Sequence, residues 1–359
     1  MKYERPKYLD PSIKTYFRKS AFSKAGGFTV PNITDRPISI RENFRRAMMH
    51  ENPAWVPNST TDFNFAMLTV VTGMPEADWT WTERTEYKDW FGVEWMYVPE
   101  AGGPMLKPNT QFLDDITDWK EKVKFPNLDE YDIEGCCKKW LETCDPEKVY
   151  HVNIGQGCTE RLVALRGGYT DAMCDMALEP EAVREFLEAF VDWEIQLIDK
   201  LCEYLPLEYV TYHDDWGTER DSFFSEAMMD AMVYPPTKRL FDHIRSKGVF
   251  IELHSCGCIK RFVPYMIDLG VSMMQIQARA NDFKAYKAQY GDKIGIEVGV
   301  MPTPGMTKDE AVARIHEIVD DFSAGGGMIS SFMSPDPELL WDGTMELYYY
   351  SREKYEGEA

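Results

Sequence analysis

The chain has 359 residues, with 39 basic against 60 acidic side chains and a formal charge of −21. That balance excludes a protein that grips a phosphate backbone or docks on anionic lipid through a basic footprint, since neither can be bound without clustered lysine and arginine. Apolar residues make up 44% and aromatic residues 13%, which is enough for a large buried core and rules out a disordered acidic tail as the source of the charge.

The longest apolar stretch, residues 65–74, is interrupted by two threonines and a glycine, far short of the roughly 20 residues that a membrane span needs. The opening MKYERPKYLDPS lacks the apolar segment of a secretory signal. A soluble, cytoplasmic protein is expected, with no nucleic-acid or membrane partner. The eight cysteines are irregularly spaced, and a chain of this length needs no disulfide staples, so reduced thiols are expected.

Residues 1–50 read as an N-terminal arm closing in a helix over 40–49, and residues 51–359 as a single domain. A first strand is expected at 55–62. Residues 75–130 form an aromatic-rich insertion with a hairpin pattern, DWTWTERTEYKDWFGVEWMYVPEAGGPM, placed over one mouth of the fold as a lid or as a subunit contact in a homodimer. From residue 150 the order becomes regular. The strand YHVNIGQG is followed by short helices and a long helix over 180–204, whose Val183, Phe186, Leu187, Phe190 and Val191 recur at i, i+3, i+4. Next come the strand LEYVTYHDDWG, a helix over about 225–247, the strand VFIELHSCG, a helix reaching 269, the strand VSMMQIQ and a helix over 283–290. KIGIEVGV precedes a helix that opens at Thr307 with Glu310 at capping-box spacing, and GGGMISSF leads to a closing helix near 341–355. Strands that each feed a helix imply a parallel sheet covered on its faces. With seven candidates, and no GxGxxG or GxxxxGK[ST] fingerprint, the pattern predicts a (β/α)8 TIM barrel rather than an open Rossmann sheet.

In such a barrel the carboxyl ends of the strands converge on the site. Those ends carry Asn153 and Gln156, then His213, Asp214 and Asp215, then His254 and Cys256, then Gln275 and Gln277, then Glu297 and the Ser330–Ser331 pair. A single such residue reads most simply as a polar cap on its strand; several strands offering them together predict a pocket. Asn153, Gln156, Tyr212, Gln275 and Gln277 are the expected substrate-binding residues. His254-Ser255-Cys256-Gly257-Cys258 is the sharpest local signal. Alternate strand residues share a face about 6.6 Å apart, so His254 and Cys256 reach one ion, and Gly257 permits a turn that returns Cys258 to it. Nitrogen and sulfur donors favour Zn²⁺; a buried histidine with inert thiols is the plain alternative. In Tyr212-His213-Asp214-Asp215 neighbours point to opposite faces, so one aspartate faces the pocket and the other caps the next helix. Asp214 is taken as the inward one, acting with His213 and Glu297 as the catalytic groups.

These segments resemble the uroporphyrinogen decarboxylase superfamily, and within it the branch of methyltransferases that work with corrinoid proteins. The resemblance covers roughly residues 40–350 and rests on DWFGVEWMYVPEAGGPM, GCTERLVALRGGYTDAMCDMALEPEAV, YHDDWGTERDSFFSEAMM, HSCGCIKRFVPYMIDLGVSMMQIQ with the later Asn281-Asp282, and GGGMISS. It implies a (β/α)8 barrel, including the strand that counting does not find. The arginine-rich RQAGR motif of the decarboxylases is missing: PAWVPNSTTDFNF stands in its place, without an arginine. The methyltransferase branch binds zinc through an HxC motif and a later cysteine. His254 and Cys256 match the first two ligands, the later cysteine is absent, and Cys258, Glu297 or a water is left to complete the set. The resemblance thus implies a methyl group moved from an O-methyl donor, such as a methoxylated aromatic, or an N-methyl donor to a corrinoid carried by a partner protein. Corrinoid-to-thiol transfer and decarboxylation of a smaller acid, the latter supported by an arginine such as Arg161 or Arg279 in the mouth, are the alternatives.

Overall fold

The computed structural model describes residues 2–19, 27–66, 83–101, 103–303 and 305–358. The arm is more ordered than an irregular lead-in: β1 (Thr15–Lys19) and β2 (Gly27–Pro31) pair antiparallel. Helix α1 (Ile40–Met48) follows, its first turn capped by the Ser39 hydroxyl, which accepts from the Glu42 N–H. Strand β3 (Phe63–Ala66) begins where the expected strand at 55–62 was to end. In that earlier stretch only a bridge between Asn58 and Ser330 forms, because Asp62 turns the chain by accepting from the Trp55 indole and the Asn58 N–H.

Part of the aromatic insertion, residues 75–82, lies outside the described residues. The rest forms the expected hairpin, extended to three antiparallel strands: β4 (Thr85–Lys88), β5 (Glu94–Val98) and β6 (Gly103–Leu106). After α2 (Ile133–Leu141) the strand–helix alternation starts, with β7 (Val149–Ile154), α3 (Cys158–Leu165), α4 (Tyr169–Leu178), α5 (Pro180–Tyr204), β8 (Tyr209–His213), α6 (Tyr234–Ser246) and β9 (Phe250–Ser255). It continues with α7 (Val263–Asp268), β10 (Met273–Ile276), α8 (Phe283–Tyr290), β11 (Gly295–Val300), α9 (Lys308–Phe322), β12 (Met328–Phe332) and α10 (Pro337–Glu358). The capping box at Thr307 and Glu310 is present in full. The helix expected over 225–247 is broken by a π-turn at Met229–Val233, just ahead of Pro235 and Pro236. Prolines carry no N–H for the helical ladder, and the wider turn absorbs the mismatch.

Seven strands form one parallel sheet in the order β12-β11-β10-β9-β8-β7-β3, giving a TIM-barrel-like α/β fold. The two edges approach each other, since the Ser59 N–H donates to the Ser330 carbonyl and the Ser330 N–H to that of Pro57, both at 2.9 Å. Among the described residues β3 pairs directly with β7, so the sheet curls with seven strands. Both faces are covered, and every residue of β7 is buried.

Two packing features position the site. At the end where the strands begin, Phe44 of α1 sits edge-on to Phe63, Tyr209 and Phe250 at ring distances of 5.5, 5.1 and 5.5 Å. The first helix therefore seals that end, and functional side chains are left to the other. The described insertion spends its aromatic residues on the helical layer: Phe91 packs on Phe190 and Trp193 of α5. Asp89 anchors it, accepting from the Phe91 and Val93 N–H groups, from the Trp95 indole and from buried Arg161 at 2.6 Å.

No helix among the described residues is long and apolar enough to cross a membrane. All eight cysteines are free thiols.

Candidate functional site

Strand alternation decides which side chains enter the barrel. His151 and Asn153 of β7, Thr211 and His213 of β8, Glu252 and His254 of β9, Gln275 of β10 and Glu297 of β11 line its interior, and the register sets Asn153 beside Thr211 and His213 beside His254. The two imidazoles stack, with centroids 4.0 Å apart and planes 18° from parallel. Asp215, just past the end of β8, completes a group: one ligand atom from each of His213, Asp215 and His254 lies within 4.8 Å of the others. Asp215 is held there by the Cys256 backbone N–H, which donates to its Oδ1 at 2.6 Å, and that oxygen is 3.7 Å from His254 Nε2. The Cys256 thiol adjoins the same nitrogen at 3.5 Å.

Three sequence-based assignments are corrected by this geometry. Asp214 is the capping aspartate, and Asp215 the one in the pocket. Fully buried, Asp214 accepts from the Thr159 N–H, the Thr159 hydroxyl and the Glu160 N–H at the start of α3, and from the Trp216 indole. Tyr212 faces away from the barrel interior, donating to buried Glu194 and packing on Phe241 of α6, because it falls between the inward residues Thr211 and His213. Cys258 does not return to the site. Gly257 does turn, at φ +77°, but its Cα is packed so tightly on Gly217 that an added Cβ would lie 2.1 Å from that residue's carbonyl oxygen, and the chain leaves with the Cys258 N–H bonded to Thr218.

The remaining assignments separate by depth. His254 and Cys256 are together as expected. Gln275 and Glu297 lie deeper, in a network with Glu252: the Gln275 amide nitrogen donates to Glu252 at 3.0 Å and to Glu297 at 2.5 Å, while its oxygen faces His254 Nδ1 at 2.7 Å. Gln277 supports the turn, accepting from the Gly257 N–H. Asn153 and Gln156 are buried, and Asn153 Oδ1 and both polar atoms of the Gln156 carboxamide lack partners. Gln156 also holds a left-handed backbone at φ +61°, a strained conformation that persists where surrounding structure imposes it. A cavity of about 610 Å³ opens beside β10 and β11, with Glu297, Arg279 and Asn281 on its wall. Sequence reasoning missed Glu160, whose carboxylate meets His213 Nδ1 at 2.9 Å, and Glu252. The period of two that pairs His254 with Cys256 also reaches back to Glu252; nothing in the local sequence marks Glu160.

Electrostatics distinguish the two imidazoles. Burial and the neighbouring His213 charge lower His254 to about 4, leaving it neutral and able to ligate. Burial also acts against the charged form of His213, but Glu160, by charge and hydrogen bond, and then Asp215 outweigh it and push that ring up to about 9. Burial and Asp215 raise the Cys256 thiol to about 12, so by itself it is no thiolate. Deeper still, burial and then the charge of Glu297 hold Glu252 well above the usual carboxyl range.

A family model for uroporphyrinogen decarboxylase (URO-D) matches residues 91–329. The chain belongs to the uroporphyrinogen decarboxylase family. The matched span runs from within the three-stranded insertion to the start of β12 and so carries His213, Asp215, His254 and Cys256. Comparison with curated proteins gives no match. Among solved structures, a methyltransferase from Methanosarcina mazei superposes with a TM-score of 0.61 at 13% identity, over 89% of this chain and all of the other, a likeness of fold. D-psicose 3-epimerase from Clostridium cellulolyticum aligns with a TM-score of 0.38 at 13% identity, over 63% of this chain and 85% of its own. This family barrel therefore offers two imidazoles, a carboxylate and an adjoining thiol at its open end. Such a donor set fits a borderline divalent cation such as Zn²⁺ better than a hard one.

Proposed function

We propose that this uroporphyrinogen decarboxylase-family barrel is a methyltransferase that removes a methyl group from an O-methyl or N-methyl donor, a methoxylated aromatic being the favoured class, and passes it to a corrinoid held by a partner protein. The observation that carries the reading is the convergence of His213, Asp215 and His254 within 4.8 Å at the open end of the barrel. These three would hold zinc, with Cys256 beside them. When bound, the ion supplies Lewis acidity toward the oxygen or nitrogen that loses its methyl group. The chain's own residues do the rest. Asp215 is fixed by a backbone N–H, so it offers a charged oxygen at low entropic cost. Glu160 accepts from His213 Nδ1 and so leaves Nε2 as the atom that would ligate. In the metal-free chain Glu160 and Asp215 favour a second proton on that ring, which would be released when zinc binds. Asn153 Oδ1 and the Gln156 carboxamide, buried without partners, would hydrogen-bond polar groups of the donor, since such buried groups are costly unless a ligand satisfies them.

Decarboxylation of a smaller acid is less well supported, because among the described residues no arginine is buried in the site: one is spent on the hairpin, and the one on the cavity wall is exposed. Arg161 is buried against Asp89, and Arg279 pairs with Glu219 on the rim. The test is direct: the purified chain, a reduced corrinoid protein and a panel of methoxyarenes and methylamines, followed by the methylcobalt absorbance. Methylation of the corrinoid is expected. Methylation of a thiol from the methylated corrinoid, with no transfer from any donor of the panel, would reverse the direction and contradict the proposal.

A further inference from the structure

Behind His254 lies a chain of hydrogen bonds that the proposed chemistry does not use. Gln275 has one oxygen and one NH2 to place. Both NH2 contacts go to carboxyl oxygens, Glu252 Oε2 at 3.0 Å and Glu297 Oε2 at 2.5 Å. The Glu252 carboxyl is itself fixed, taking the Tyr209 hydroxyl at 2.8 Å and the Thr211 hydroxyl at 2.6 Å. The proton that burial keeps on the Glu252–Glu297 pair is taken up between the two carboxyls, so an inverted amide would aim its oxygen at acceptor oxygens and its NH2 at the imidazole, losing both bonds. The orientation of the amide is therefore set from the carboxyl side, and its oxygen is left facing His254 Nδ1 at 2.7 Å. An amide oxygen only accepts, so Nδ1 must carry the proton, and the lone pair falls on Nε2, the atom that faces Asp215 and Cys256.

From this geometry we infer that Gln275, locked by Glu252 and Glu297, is a positioning residue that selects the His254 tautomer able to ligate through Nε2, and not a substrate contact. The inference rests on the proposed metal role of His254 for its purpose, but the tautomer exists without the metal and is measured without it. In such arrangements the partner behind a ligating histidine fixes ring and tautomer, and its loss lowers metal affinity by about 10–100-fold.

The experiment uses the full chain, labelled with ¹⁵N at histidine and freed of metal, with the His254 signals assigned by difference from His254→Ala. The wild type should show the Nδ1–H form of His254 alone. Gln275→Leu, which removes the acceptor, should show a mixture of both neutral forms and a zinc affinity, measured by chelator competition, lower by about 10–100-fold. Glu297→Gln, which keeps the shape but removes a fixed acceptor, should admit the second tautomer in part and guards against a leucine variant that does not fold. An Nε2–H form in the wild type, or unchanged tautomer and affinity in the folded variants, would overturn the inference. A wild type that shows the Nδ1–H form and loses it in Gln275→Leu, yet binds no zinc, upholds the orienting role and sinks the metal reading instead.

Discussion

At the residue scale, the adjacent aspartates of YHDDWG have opposite roles. Asp214 is fully buried and satisfies the first turn of α3, where Thr159 and Glu160 would otherwise present unpaired N–H groups. Asp215 meets His254 and the Cys256 backbone. Asp214→Ala should therefore lower unfolding stability in urea by about 1–3 kcal/mol, losing a cap and leaving the Trp216 indole without its acceptor, while a folded fraction keeps its zinc. Asp215→Ala should do the reverse, with little loss of stability and a large loss of zinc affinity. Zinc loss in Asp214→Ala with unchanged stability would show the roles exchanged. Alternation along β8 allows only one of the pair into the pocket. Which one is a matter of phase: Thr211 and His213 face inward and Tyr212 outward, the Asp214 N–H continues the ladder to the His254 carbonyl, and Asp215 therefore shares the inward face. Taking Asp214 as inward put it out of phase with His213.

At the element scale, the helices and strands from residue 150 onward were legible because period and punctuation agree: Pro180 opens α5 and the Thr307 capping box opens α9. What local pattern did not show was long-range pairing. Arg161 looked like a carboxylate clamp, yet it is the anchor of the hairpin on α3, with 2% of its side chain exposed and its partner Asp89 wholly buried. Arg161→Met should cost about 3–5 kcal/mol in chemical unfolding, because Asp89 stays behind as a buried charge without its cation. A cost under about 1 kcal/mol would mean that the backbone N–H donors alone satisfy Asp89. The β9 exit loop gives a second test. Gly257 sits at φ +77° against the Gly217 carbonyl, so Gly257→Ala should destabilise by about 1–3 kcal/mol and also weaken zinc binding by shifting Cys256. An alanine variant of wild-type stability would show that the loop relaxes freely.

At the scale of the whole molecule, one end of the barrel is closed by α1 and the arm, and the site lies at the other. The arm is tied to α10 by ions: Arg5 meets Glu346 and Glu353, and His316 meets Glu346 as well. Burial works against the Glu346 charge, but hydrogen bonds from Arg5 and His316 outweigh it and hold the carboxyl below its ordinary value of 4.5. A carboxyl with a depressed folded-state pKa contributes stability that is present above the unfolded value and lost as pH falls through the folded one. Thermal stability should therefore fall as pH drops below about 4.5, and Glu346→Gln should flatten that part of the profile; an identical acid limb in the variant would remove Glu346 from the account. The charge of −21 that excluded nucleic acid at the outset also bears on the site, whose Glu160, Asp215, Glu252 and Glu297 suit a cation at its centre better than a polycarboxylate. The claim on which the rest depends is that His213, Asp215 and His254 form a metal centre. Metal analysis of the purified chain beside single alanine variants tests it most directly: one zinc per chain is expected in the wild type and in Cys258→Ala, and none in His254→Ala or Asp215→Ala. Equal metal content in all four, or its loss in Cys258→Ala alone, would contradict it.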